Sequence, residues 1–144
     1  MTFGPPRRFA AIAALLLLSL RGGQPLAAKK PEVLAQEAAQ SWLRLVDEAK
    51  YPQSWARSAK VFKAAVAPAK WEEILAGIRK PLGRLVSRKV NSREFSDKLA
   101  GAPAGKYVVT KFDAVFARKT AAVETVTCAL DPDGVWRVSG YYVL

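Results

Sequence analysis

The spacing of apolar residues changes once along this chain, near Gly83, and that change limits the fold more than any composition figure does. From Lys30 to Lys80, Ala, Leu and Trp recur at three- and four-residue steps; from Arg84 to Leu144, Val, Thr, Phe and Tyr alternate with polar residues. The first spacing lays side chains along one stripe of a helix, and the second along one face of a strand. Helices come first and strands follow, whereas an α/β fold would interleave them. The expectation is an α+β domain: three N-terminal helices packed on a curved four-stranded antiparallel sheet.

The elements can be placed residue by residue. Pro31 suits the first turn of a helix and Glu32 its positive end. Leu34, Ala38, Trp42, Leu45, Val46 and Ala49 then form a stripe, with Glu37, Gln40, Arg44, Asp47 and Glu48 on the other side. A second helix is predicted after Tyr51-Pro52, with Trp55, Ala59, Phe62 and Val66 on its apolar side. A third opens at Pro68, carries Trp71, Ile74, Leu75 and Ile78, and ends at Pro81 and Gly83. Strands are predicted over 83–90, 106–118, 121–130 and 135–144. The last two form a hairpin, because Asp131-Pro132-Asp133-Gly134 presets a tight reversal. The loop 100–105, built from Ala, Gly and Pro, has little to bury and is expected to be mobile.

Residues 1–28 read as a segment apart. Arg7 and Arg8 precede the apolar run Phe9–Leu20, and small residues close the stretch at Ala27-Ala28. This is the layout of a secretory signal peptide, and the run is shorter than the roughly 20 residues that span a bilayer. The domain organisation expected is therefore a leader over 1–28 and one domain over 29–144, exported to the periplasm or beyond the cell. The mature chain has no predicted transmembrane segment. The whole chain has 23 Lys and Arg against 12 Asp and Glu, a net +11; loss of Arg7, Arg8 and Arg21 with the leader lowers this to +8. Such an excess favours anionic partners, and for an exported protein an envelope anion is a better fit than nucleic acid.

Histidine is absent and Cys128 is the single cysteine. Ser-His-Asp and Cys-His catalysis and histidine-containing zinc sites are excluded, and no internal disulfide can form. No metal or cofactor is expected. Catalysis would have to run on carboxylates, tyrosines, lysines or arginines.

Several separated stretches resemble a known family. Tyr51-x-x-Ser54-Trp55, Trp71, Arg79-Lys80-Pro81-Leu82-Gly83 with Ser87-Arg88, Gly105-x-Tyr107-Val108-Val109, Phe116-Ala117-x-Lys119, Val123-Glu124-Thr125-Val126-Thr127 and Asp133-Gly134-x-Trp136-Arg137-Val138-x-Gly140-Tyr141 resemble the bacterial secreted family called "domain of unknown function 4019". The resemblance runs from about Ala35 to Leu144. It implies an envelope or extracellular protein, carries over no catalytic residue, and accompanies an order of elements similar to nuclear transport factor 2-like and cystatin-like folds.

Glu124 is the residue with the most chemical interest. Alternation over 121–130 puts it on one face with Ala122, Val126, Cys128 and Leu130. A carboxylate there either pairs with a cation, Arg79 or Arg88 being the candidates, or stands in a cavity as a general base. The ion pair is the structural alternative and predicts that Glu124→Gln costs stability and not activity. The preceding strand turns Val108, Thr110, Phe112, Ala114 and Phe116 inward and Tyr107, Val109, Lys111, Asp113 and Lys119 outward. In the last strand Trp136, Val138, Gly140 and Tyr142 are assigned inward and Arg137, Ser139 and Tyr141 outward, with Gly140 marking a bulge or bend. Trp42, Trp55 and Trp71 either anchor helices to the sheet or wall a pocket.

The candidate ligand-binding set is Trp42, Trp55, Arg79, Arg88, Glu124 and Tyr142. Lys60, Lys63, Lys70, Arg79, Lys80, Arg84, Arg88, Lys89 and Arg93 make the middle third basic, either as a solvated exterior or as a polyanion surface. Cys128 is expected to be a buried, inert thiol. Two functions stay open: a non-catalytic binding or envelope-accessory module, and a small pocket enzyme with Glu124 as base and Tyr142 or Arg88 stabilising charge. The partner is open too: an anionic envelope component, a small amphipathic ligand or another envelope protein.

Overall fold

The structure is a computed structural model and describes residues 27–144. The predicted leader therefore lies outside the described residues, apart from Ala27 and Ala28. Four helices, α1 (Pro31–Asp47), α2 (Tyr51–Ala56), α3 (Lys60–Ala65) and α4 (Pro68–Leu82), precede four strands, β1 (Leu85–Ser96), β2 (Tyr107–Phe116), β3 (Lys119–Leu130) and β4 (Trp136–Val143). The strands form one antiparallel sheet in the order β1-β2-β3-β4. The α+β class and the antiparallel sheet are as expected; the helix count is not.

The predicted second helix is two short ones. Ser58 places its hydroxyl on the Ser54 carbonyl at 2.8 Å, and the Trp42 indole N–H reaches the same carbonyl at 2.9 Å. Side chains thus occupy an acceptor that a continuous helix would use, while the Ser58 N–H turns back to Trp55. The chain then leaves the helix so that the Ala59 N–H can donate to Val138 of β4 at 2.7 Å. A sequence stripe cannot show this, because Ala59 and Phe62 continue the spacing across the break.

The inner layer holds Ala35, Ala39, Trp42, Leu43 and Val46 of α1 and Trp71 and Leu75 of α4 against Val108, Phe112, Val126, Cys128, Trp136 and Val138 of the sheet. Trp42 and Trp71 are buried anchors, with Phe62 set edge-on to Trp71 at 4.9 Å between ring centroids. The expected inward residues of β2 are buried, as are those of β3 except the half-buried Leu130, and Thr125 and Ala129 on the other face of β3 are buried as well. Gly83, not Pro81, closes α4: its φ of 73° is a conformation that side chains disfavour, and the helix passes through Pro81 to Leu82.

Two further expectations are corrected. At the start of β2 Tyr107, assigned outward, is buried against Leu99, Ala102, Ala59 and Ala129, and its hydroxyl donates to Pro103 of the preceding loop at 2.7 Å. In β4 the register shifts between the Cys128↔Val138 and Thr127↔Gly140 pairs. Ser139 is the extra residue, and one extra residue exchanges the two faces downstream. Tyr141 therefore turns in and Tyr142, 48% exposed, turns out, the reverse of the assignment. Gly140 does mark the bulge.

Candidate functional site

Five side chains from five elements meet at the end of the sheet where α1 and α4 terminate. Asp47 is the last residue of α1, four positions after Leu43 and so at the border of the buried stripe. Arg79 lies in the last turn of α4 and is 7% exposed. Arg88 enters from β1 opposite Ala114, Glu124 from β3 opposite Phe112, and Tyr141 from β4 after the bulge.

Glu124, at 0% exposure, is the fully buried acid of the group. Arg88 grips it with two donors, Nε to Oε2 at 2.5 Å and Nη2 to Oε1 at 3.1 Å. The Tyr141 hydroxyl donates to Oε1 at 2.7 Å, and Arg79 Nη1 stands 3.8 Å from the same oxygen. Arg88 also reaches Asp47, Nη1 to Oδ2 at 2.8 Å and Nη2 to Oδ1 at 2.9 Å, and Arg79 Nη2 donates to Oδ1 at 2.8 Å. Two acids thus face two guanidiniums. Forked, charge-assisted geometry of this kind is the strong form of the hydrogen bond.

The electrostatics agree with a mutually neutralised cluster. Burial alone would raise the Asp47 carboxyl, but Arg88 and Arg79 outweigh it and hold it below its usual value of 3.8. Burial likewise opposes the Arg88 charge, and its bonds to Asp47 and Glu124 win and push it up. Burial, followed by the Glu124 charge, raises the Tyr141 phenol, so the hydroxyl remains a donor. Arg79 Nε and Nη1 have no hydrogen-bond partner among the described residues; the guanidinium lies 4.9 Å from the Phe116 ring centroid, a cation–π contact that offsets part of the cost.

Of the six candidate ligand-binding residues, the structure brings Arg79, Arg88 and Glu124 together. Trp42 touches them indirectly, edge-on to the Tyr141 ring at 5.4 Å, while its indole N–H is committed to Ser54 and Ser58. Trp55 stands elsewhere, its indole donating to Val66 at 2.7 Å and tying α2 to the end of α3. Tyr142 lies on the helix-free face, opposite Thr125. Asp47 and Tyr141 are the residues sequence reasoning missed. The spacing of Asp47 from Leu43 was the available signal for the first, and the bulge hid the second.

Both Glu124 oxygens accept hydrogen bonds and the carboxylate is fully buried. A cleft of about 260 Å³ between the ends of α1 and α4 reaches Asp47 and Arg79, and a groove of about 590 Å³ on the helix-free face is lined by Ser87, Lys89, Asp113, Val115, Ala121 and Val123. Neither is lined by Glu124. Among the described residues no three metal-ligating side chains converge. No helix among them is long and apolar enough to cross a membrane. Cys128 is buried, its Sγ donates to the Ala35 carbonyl at 3.4 Å, and burial pushes its thiol up to about 12.

The comparisons with known proteins add one match. A family model described as "Protein of unknown function (DUF4019)" matches residues 38–141, a span that holds all five residues of the cluster. No curated protein matches the chain.

Proposed function

Because the chain belongs to the DUF4019 family, which carries no assigned activity, its function rests on its own residues, and we propose an exported, non-catalytic binding or envelope-accessory module that takes an anionic component of the cell envelope. One observation carries the non-catalytic part. Glu124, the buried carboxylate best placed for chemistry, is held by Arg88 and Tyr141 with Arg79 beside it. A general base must lie within reach of a substrate proton, and this one is fully buried and lines neither the cleft nor the groove. The cluster serves as a polar pin between the helices and the sheet.

Export is supported by the basic start, the short apolar run and the small residues of positions 1–28. The anionic partner is supported by the charge left over once the cluster has neutralised Arg79 and Arg88: most other cations are exposed. The order of helices and antiparallel sheet supports, as an analogy of architecture, a nuclear transport factor 2-like or cystatin-like reading. The test is retention on immobilised heparin as a generic polyanion. Strong retention at low salt that falls steeply as salt rises supports the reading, and passage without retention at low salt overturns it.

A further inference from the structure

One end of the sheet gathers four exposed cations from two stretches of the chain. At the end where β1 begins and β2 turns into β3, the backbone bonds Ala117 to Arg84 at 2.8 Å and Arg118 to Leu82 at 3.0 Å. The Arg118 guanidinium reaches back to the Lys80 carbonyl at 2.8 Å, and Lys119 pairs with Phe116 across the turn. Lys80 and Arg84 from one stretch and Arg118 and Lys119 from another, all exposed, are thereby gathered on one rim. None of the four has an acidic partner among the described residues. The neighbouring acids are spoken for: Asp47 by the buried arginines, and Glu48 by Lys50 at 2.6 Å. The opposite end carries exposed Lys60, Lys98 and Lys106 too, but Asp97, Asp131 and Asp133 stand there with them, the last two paired with Arg137. Acids stand among the cations at that pole, whereas at the rim the nearby acids are already paired.

The rim is also not purely polar. Val86, the bulged residue two positions after Arg84, is 54% exposed, and Ala117 at the β2–β3 turn is exposed with it. A soluble polyanion has no use for apolar surface among its cations, whereas the headgroup layer of a bilayer presents anionic charge with hydrocarbon beneath. Four basic residues are the lower end of the cluster size that holds a protein to an anionic membrane surface. We propose that Lys80, Arg84, Arg118 and Lys119, with Val86 among them, form a docking face for an anionic phospholipid bilayer. This rests on the binding reading above and narrows it to one partner and one face.

The test is flotation of the full chain with phosphatidylglycerol-containing vesicles at low salt, against vesicles of phosphatidylcholine alone. Residues 1–28 are common to every variant, so the comparison is between variants. Arg84→Glu with Lys119→Glu should weaken partitioning by at least about thirtyfold, since each basic residue near the surface contributes roughly fivefold. Lys98→Glu with Lys106→Glu makes the same change in net charge at the far pole and should leave it within about twofold. Equal loss in the two variants, or no loss in the first, overturns the proposal. Heparin retention without preference for the anionic vesicles overturns the membrane partner and leaves the broader binding reading standing; failure on both matrices overturns the two together.

Discussion

Arg79 and Lys80 are neighbours in sequence and opposites in circumstance. Arg79 points into the fold, bonded to Asp47 and stacked near Phe116; Lys80 points out onto a rim where no carboxylate meets it. The same division separates Arg88, held between two acids, from Arg84, four residues earlier and exposed. Cations of one stretch of chain are thus split by the fold into a set with an acid for each and a set with none. The first stabilises, because removing a member strands a buried charge; the second is free to meet something outside. Net charge counts both sets alike, so it says little about either until the acids have been located.

That contrast can be broken most severely from the inside. Arg88→Met leaves Glu124 buried with no forked partner and Asp47 with Arg79 alone, and it is expected to lower stability by about 3–5 kcal/mol in urea unfolding. A loss within surface-substitution range would show that the cluster is not a pin.

Changing pH sharpens the same contrast with smaller effects. The unfolded Asp47 takes up a proton near 3.8, while the folded one resists until lower pH. In that window the unfolded state binds more protons, so this contribution is present above about pH 4 and lost as the pH falls below it. Cys128 works in the other direction: unfolded it ionises near 9.0, folded it keeps its proton up to about 12. Its contribution is complete below pH 9 and is lost as the pH rises from 9 to 12. Thermal unfolding followed from pH 3 to 11 should show both limbs, and Cys128→Ala should make the alkaline one shallower, the raised Tyr141 phenol supplying the rest. An alkaline limb unchanged by that substitution would exclude the thiol as its source.

The smallest effect belongs to the rim. Arg84→Glu with Lys119→Glu breaks no ion pair seen among the described residues, and its stability should stay within about 0.5 kcal/mol of the parent in the same urea assay. A larger loss would mean that these cations hold the fold together, and the two regions would no longer differ in kind.

Much of this arrangement was legible in the sequence, and what was not has identifiable causes. The change of spacing near Gly83 gave the class, alternation gave the inward residues of β2 and β3, and Asp131–Gly134 gave the last hairpin, whose Gly134 N–H bonds Asp131 at 2.9 Å. Glu124 stood out as a carboxylate on an apolar face, and both arginines suggested as partners reach it. The break after α2 was hidden because it is made by side chains, the Ser58 hydroxyl and the Trp42 indole, on an acceptor that apolar spacing does not describe. Tyr141 was hidden because parity counted along β4 fails beyond the extra residue at Ser139, even with Gly140 recognised as a bend. Asp47 was hidden because a carboxylate at the end of a helix reads as solvated until the strands that bring Arg88 to it are in place.

The pairing inside the cluster is the claim on which the rest depends, and a double-mutant cycle between Arg88→Met and Glu124→Leu, read as urea-unfolding free energies, measures it directly. In the double variant Asp47 and Arg79 remain a matched pair, so the second substitution should relieve much of the damage done by the first. The expected coupling is at least about 2 kcal/mol, within the range for contacting residues of one network. Additivity within about 0.5 kcal/mol, the behaviour of independent sites, would show that Glu124 and Arg88 do not hold each other and would return Glu124 to consideration as a free carboxylate.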